Sequence, residues 1–175
     1  SAPRSRARRF MENGIILGID PGNAATGYAV LATRPAERLI ACGAVRPVSK
    51  GNVALRLHKI YEDLSALIEE HEPSELAIES IFHAQNARAA LSLGQARGAA
   101  LAAAGAHGLE VFEYSPLLVK QTVTGYGRAE KEQVKKMVLA RLAGAREFDA
   151  KRLPIDAWDA AAIALCHACH RNSHR

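Results

Sequence analysis

Four acidic side chains stand at the ends of apolar segments, where carboxylates are costly to bury. A short apolar run bounded by turn residues predicts a strand that is buried on both faces. If two such strands end at one edge of one sheet, their terminal acids meet, and divalent metal ions would offset the repulsion between them. The four acids are Asp20 after residues 15–19, Glu79 after residues 76–78, and Asp156 and Asp159 at the start of an alanine-rich segment.

The chemistry that fits such a group is metal-dependent phosphodiester hydrolysis. Two Mg²⁺ ions about 3.5–4 Å apart can activate a water and stabilise the departing oxygen. Asp20, on the first strand, is the candidate to reach both ions, and the i,i+3 spacing puts Asp156 and Asp159 on one helix face. Taken singly, each acid has a simpler interpretation, because Asp156 or Asp159 could cap a helix, Asp20 could shape a turn and Glu79 could pair with an arginine. Together they favour a metal site.

The elements that must position these acids alternate along the chain. Three strands joined by short turns predict an antiparallel meander, and helices then alternate with strands. Asn52 is the expected N-cap of the first helix. The pattern predicts an α/β, ribonuclease H-like fold with a mixed five-stranded sheet and helices on both faces. The expected strands are 15–20, 27–31, 39–45, 76–79 and 109–114, and the expected helices include 87–106, 129–142 and 156–170.

Composition favours one soluble domain. The chain has 175 residues, 49% of them hydrophobic, and lacks the run of about 20 apolar residues that a membrane span needs. Much of the net charge of +5 comes from four arginines in the first ten residues. Three cysteines and no secretory signal favour a cytoplasmic protein. We predict a basic N-terminal arm over residues 1–13, a nuclease domain over 14–170 and a tail over 171–175.

An ordered set of motifs, spread over nearly the whole chain, resembles the RuvC-type Holliday-junction resolvases of bacteria. The motifs are Asp20-Pro21-Gly22, Thr26-Gly27-Tyr28, Ala77-Ile78-Glu79-Ser80-x-Phe82, Asn86-Ala87, residues 93–98, Tyr114-x-Pro116, Val119-Lys120-Gln121-Thr122-Val123-x-Gly125-x-Gly127, Ala129-Glu130-Lys131 and Asp156-Ala157-x-Asp159-Ala160.

This resemblance implies a homodimeric endodeoxyribonuclease with two Mg²⁺ per active site, for which Mn²⁺ is expected to substitute. Such enzymes bind four-way junction DNA and nick two strands of like polarity, after the RuvA–RuvB branch-migration complex has acted in recombination and repair. By position, Asp20, Glu79, Asp156 and Asp159 match the family's catalytic acids. Phe82 matches an aromatic that stacks on a junction base, and Lys120 and Lys131 match basic residues near the scissile phosphate.

Glycines at 94, 98 and 105 recur in the helix expected over 87–106. Because glycine costs about 1 kcal/mol in a helix interior, its repetition indicates close approach of another backbone. The resemblance assigns that helix to the dimer interface, whereas tight packing on the chain's own sheet is the alternative.

Two features lie outside the resemblance. Cys166, Cys169 and His170 fit the Cys-x-x-Cys-His pattern of haem attachment, and zinc with His174 is another option. We interpret the cysteines as small packing residues and the histidines as tail, with no haem expected. Trp158 stands where this family is expected to have alanine, and it could pack beneath the site.

Three rival functions remain open at this level. The segment from Gly18 to Gly22 resembles the phosphate loop of actin-like ATPases, although the chain has about half the length that two such lobes need. A junction-binding module without catalysis is a second possibility. A ribonuclease H-like nuclease that matures RNA is the nearest alternative enzyme.

Overall fold

One mixed sheet of five strands organises the molecule, in the order β3-β2-β1-β4-β5. β1, β2 and β3 form an antiparallel meander, and β4 and β5 run parallel to β1. The computed structural model describes residues 14–22, 24–47, 52–80, 86–148 and 151–171. The strands are β1 (Ile15–Asp20), β2 (Thr26–Ala32), β3 (Arg38–Val45), β4 (Glu75–Glu79) and β5 (Glu110–Tyr114).

Helices cover both faces of this sheet, which confirms the predicted fold class. The first two pack together on one face, and the other three pack on the opposite face. Asn52 caps the first helix as expected, because its side chain accepts a hydrogen bond from the Leu55 amide at 3.1 Å. The helices are α1 (Val53–His71), α2 (Ala87–His107), α3 (Pro116–Thr124), α4 (Lys131–Arg141) and α5 (Ile155–His170), with a short 3₁₀ turn at Ala145–Glu147.

Helix α5 lies directly against β1 and β2, and two strand glycines allow this contact. A Cβ atom at Gly18 would lie within 3.0 Å of the Ala160 carbonyl oxygen, and one at Gly27 would lie equally close to the Asp156 carbonyl oxygen. Glycine inside a strand often marks such a close backbone approach. Any side chain at either position would therefore push the helix off the sheet.

The end of α5 corrects our interpretation of its cysteines and histidines. His167 is 0% exposed and is part of a buried polar network, so it is not a tail residue. Cys166 is buried, as expected of a packing residue, but Cys169 is exposed. Sequence alone misled here because the partners of His167, Tyr114 and Glu75, lie 53 and 92 residues away.

Two further predictions concern the ends of the chain and the membrane. Within the part of the chain that the structure describes, no helix is long and apolar enough to span a bilayer. The predicted arm over residues 1–13 and tail residues 172–175 lie outside the described residues.

Candidate active site

The first two acids lie side by side because β1 and β4 are parallel neighbours. Ile19 pairs with Ile78, and each predicted acid is the next residue on its strand. Asp20 is only 9% exposed. Because side chains alternate along a strand, Asp20 and Glu79 face the same side of the sheet as Gly18 and Ala77. That is the side covered by α5.

Helix α5 supplies the other two acids from its first two turns. Asp20, Asp156 and Asp159 each offer a carboxylate oxygen, and these atoms all lie within 4.8 Å of one another. Glu79 completes the set from the neighbouring strand β4, because it lines one cleft with Asp20 and Asp159. The structure thus brings together all four predicted acids, three of them as a tight cluster.

Burial raises the pKa of three of the acids in the cleft. Burial, followed by the charges of Glu79 and Asp159, raises the pKa of Asp20 to about 8. Burial and the charge of Asp159 also raise the pKa of Glu79. Burial raises the pKa of Asp159 as well, although its hydrogen bond to Lys131 partly opposes that shift. A perturbation of this kind by burial and like charges in a cleft is typical of a functional site.

Two predicted lysines border the same cleft. Lys131, at the start of α4, places its Nζ 2.6 Å from Asp159 Oδ2. Burial alone would lower the pKa of Lys131, but its hydrogen bond to Asp159 and the surrounding acids raise it. Lys120, on α3, lines the cleft with Pro116 and Val119. Both cations are therefore positioned beside the acids.

The remaining predictions for the site divide into two. Phe82 lies outside the described residues, so its stacking role stays a prediction. Trp158, a residue of α5, is fully buried in the core, and Lys135 Nζ lies 5.9 Å from its ring centroid. Its bulk leaves Asp156 in the cluster with Asp20 and Asp159.

Sequence reasoning missed the residues that fix the height of α5 over the sheet. Gly18 and Gly27 sit inside apolar strands, where a glycine is a recognisable sign of close approach. It also missed the apolar walls of the cleft, which carry no distinctive pattern. Those walls include Val119, Val134, Ala162 and Ile163.

The donor set fits a divalent cation. It consists only of carboxylate oxygens, the ligands that Mg²⁺ and similar hard cations prefer. Burial, followed by the neighbouring acids, raises the pKa of Asp20, and a cation bound among these carboxylates would offset that cost. Among the described residues, no other group of three or more acidic, histidine or cysteine side chains comes as close together.

Comparison with solved structures defines the class. The structure described as Thermus thermophilus RuvC in complex with Holliday junction substrate matches with a TM-score of 0.82 and 31% identity, covering 91% of this chain and 96% of that one. The yeast mitochondrial Holliday junction resolvase Ydc2 shares the fold at a TM-score of 0.65, with 13% identity. The fold is therefore ribonuclease H-like.

Comparison of sequences defines the family. The family model described as crossover junction endodeoxyribonuclease RuvC matches residues 16–167. The crossover junction endodeoxyribonuclease RuvC of Geobacter sulfurreducens is 49% identical, over 87% of this chain and 91% of its own length. That of Natranaerobius thermophilus is 45% identical, over 88% and 94%. The chain belongs to the RuvC family of crossover junction endodeoxyribonucleases, which hydrolyse phosphodiester bonds in DNA.

Proposed function

We propose that this nuclease resolves four-way DNA junctions by metal-dependent hydrolysis at the cleft of Asp20, Glu79, Asp156 and Asp159. The observation that carries the proposal is the clustering of carboxylate oxygens from three of these acids within 4.8 Å. The raised pKa of Asp20 supports it, because such a cluster is electrostatically costly unless a cation joins it.

The four carboxylates would hold two Mg²⁺ ions, with Mn²⁺ as a substitute. Bound there, the ions would neutralise charge on the phosphodiester under attack and lower the pKa of the attacking water. Asp20 is the best candidate to contact both ions, since it is buried between Glu79 on one side and the acids of α5 on the other. The rigid strand beneath it would keep that geometry fixed.

Lys120 and Lys131 would hold the substrate phosphate. An ammonium group has three donors, so Lys131 can keep its 2.6 Å contact with Asp159 and still donate to a phosphate oxygen. Asp159 thereby orients the Lys131 side chain before DNA arrives. Lys120, on the neighbouring helix, would contact the same strand from the α3 side of the cleft.

Two copies of the chain would act together on one junction. A Cβ atom added at Gly94, Gly98 or Gly105 would meet nothing within 4 Å, so packing within the chain does not explain these glycines. That argues against the alternative of tight packing on the chain's own sheet. We propose that this exposed face of α2 contacts a second copy, which would give the two active sites that a two-fold symmetric junction requires.

A cleavage assay tests the proposed reaction. The wild-type protein should nick a synthetic four-way junction in Mg²⁺ or Mn²⁺, and should leave linear duplex, RNA hairpins and metal-free junctions intact. Asp20→Asn should lose cleavage yet bind the junction, with affinity that falls steeply as salt rises. Leu55→Ala, a change at an exposed side chain of α1, is the matched control. RNA cleavage without junction cleavage, or cleavage by Asp20→Asn at the wild-type rate, would refute the proposal.

Light scattering tests the proposed dimer. The 18.8 kDa chain should have twice that mass in solution, and Gly98→Glu should reduce it to one copy without unfolding the protein. A dimer unaffected by Gly98→Glu would mean that another surface pairs. The partnership with RuvA–RuvB remains a prediction from the family resemblance, as does a cytoplasmic location.

A further inference from the structure

The loop between α3 and α4 displays a tyrosine that the proposed function does not use. Tyr126 is 59% exposed, and it is the one aromatic among the large exposed apolar side chains of the described residues. A single exposed apolar residue needs no explanation by itself. Tyr126 differs from such a residue because hydrogen bonds fix its backbone and because its loop connects two helices that line the cleft.

Hydrogen bonds from α3 fix the backbone on either side of the ring. The Tyr126 amide donates to Thr124 Oγ1 at 3.1 Å, and that hydroxyl donates to the Lys120 carbonyl at 2.8 Å. Gln121 Nε2 donates to the Gly125 carbonyl at 3.0 Å. Gly125 itself adopts φ +78°, a left-handed conformation that favours glycine. The turn into the loop is therefore built into the end of α3.

The far side of the loop is held equally well. The carbonyl of Tyr126 accepts a hydrogen bond from the amide of Ala129, which is buried. Leu117, on α3, packs against Gly127, where an added Cβ would come within 3.4 Å of its side chain. The ring of Tyr126 is thus presented to solvent on a backbone that is already ordered. Binding through it would cost little conformational entropy.

The loop joins the two helices that carry the phosphate-binding lysines. Lys120 lies six residues before Tyr126 and Lys131 five residues after it, and both line the acidic cleft. Arg128, also exposed, adds a third cation to the same loop. A DNA strand bound by Lys120 and Lys131 would therefore lie on the two helices that this loop connects.

We propose that Tyr126 contacts the cleaved DNA strand by stacking on a nucleotide that flanks the scissile phosphate. The proposal rests on the function proposed above and adds a second stacking residue to it. Nucleic acid is favoured over a protein partner because the loop that carries Tyr126 also carries the exposed Arg128 and connects the helices of Lys120 and Lys131, and single-strand binding grooves combine such cations with an aromatic ring. Every base has an aromatic face, so the contact would position the strand whatever its sequence.

Cleavage kinetics and a fluorescent base test this contact. Tyr126→Ala should lower kcat/KM on a four-way junction by about 5- to 100-fold, the effect of losing one stacked base, while Tyr126→Phe stays within about 3-fold of wild type. Leu55→Ala is the control for loss of an exposed apolar side chain elsewhere. Because Tyr126 is exposed, thermal melting curves should be unchanged in all three variants.

The second readout does not depend on cleavage. With Asp20→Asn as the background and 2-aminopurine beside the cleavage position, binding should quench the fluorescence, and adding Tyr126→Ala should restore it. Normal cleavage by Tyr126→Ala, equal losses in Tyr126→Phe and Tyr126→Ala, or quenching that survives Tyr126→Ala would each overturn the proposal. A wild-type protein that quenches the probe but cuts no junction would refute the proposed function and leave the stacking contact standing.

Discussion

β4 has a glutamate at each end, and the pKa values of these two glutamates are shifted in opposite directions. Glu75, at the start, meets His167 Nε2 at 3.1 Å and Arg171 Nε at 2.9 Å. Burial alone would raise the pKa of Glu75, but the His167 hydrogen bond and the Arg171 charge outweigh it and lower the pKa. Glu79, four residues on and on the same face, has its pKa raised by burial and by the charge of Asp159.

This difference distinguishes a glutamate that stabilises the fold from a glutamate of the candidate active site. Glu75 contacts the guanidinium of Arg171 and the imidazole of His167 inside the protein, so its negative charge contributes to the stability of the fold. Glu79 has Asp159 as a neighbour, and the charges of Lys131 and Lys120 offset its raised pKa only in part. A cation bound among these acids would lower the cost of its negative charge. One end of β4 thus has a carboxylate with a lowered pKa and the other has a carboxylate with a raised pKa. The raised pKa, in a cleft, indicates the end of the sheet that does chemistry.

The largest expected effect is on catalysis at Glu79. Glu79→Gln should lower the rate of junction cleavage by at least about 1000-fold, because an amide cannot replace a negatively charged metal ligand. Junction binding and the melting temperature should stay at or above wild-type values. Single-turnover cleavage and circular dichroism measure the two. A variant that cuts at the wild-type rate would remove Glu79 from the site.

The next effect is on stability at Glu75. Glu75→Gln should lower the free energy of unfolding by about 3 kcal/mol, since it leaves the buried His167 and the partly buried Arg171 without the carboxylate that both contact. Urea denaturation measures this loss. Cleavage below the melting temperature should persist, so the two glutamates would give opposite phenotypes. A Glu75→Gln protein that is stable but inactive would contradict the division.

Metal binding should sharpen the contrast further. At a Mg²⁺ concentration about 100 times its Kd, the wild-type protein should gain about 2.7 kcal/mol of stability, because the ion binds only the folded state. Asp20→Asn should lose most of this gain, and Glu75→Gln should keep it. Thermal melts with and without Mg²⁺ report the difference. Equal gains in wild type and Asp20→Asn would place the ion elsewhere.

The smallest effect, expressed per pH unit, is on the stability of the metal-free protein as a function of pH. With its pKa raised from 3.8 to about 8, Asp20 stays protonated in the folded state over a range where the unfolded chain has released that proton. Its contribution to stability is therefore complete below pH 3.8 and is lost as the pH rises towards 8.

Glu75 has the opposite sign, because its lowered pKa gives stability above pH 4.5 that disappears as the pH falls below that value. Asp20→Asn should flatten the decline between pH 5 and pH 7.5 by at most about 1.4 kcal/mol per pH unit. Urea midpoints over pH 4 to 8 measure both slopes. Parallel curves for wild type and Asp20→Asn would show that Asp20 is ionised normally.

Much of the fold and the acidic site could be predicted because the signals are local. The apolar runs before Asp20 and Glu79 define strands, and a parallel pair must end at one edge. The spacing of Asp156 and Asp159 fixes their common helix face. These features depend on neighbouring residues and on sheet topology, which sequence patterns convey.

The rest depends on contacts between distant parts of the chain. The pairing of Lys131 with Asp159 and the burial of His167 against Glu75 arise only when α5 settles on the sheet. The 3₁₀ turn at Ala145–Glu147 is too short to produce a periodic pattern. The pattern of charge and hydrophobicity along the sequence does not predict these pairings or this turn.

The contact of α5 with Gly18 and Gly27 has a consequence for how this enzyme can be altered. The spacing between Asp20 and the acids of α5 is set by close contact between the backbones of the strands and the helix. It does not depend on the volume of a side chain that a mutation could change. Mutations in the surrounding core would repack without changing that spacing. Efforts to change the reaction should therefore target side chains at the rim of the cleft, since a side chain added at Gly18 or Gly27 would displace α5.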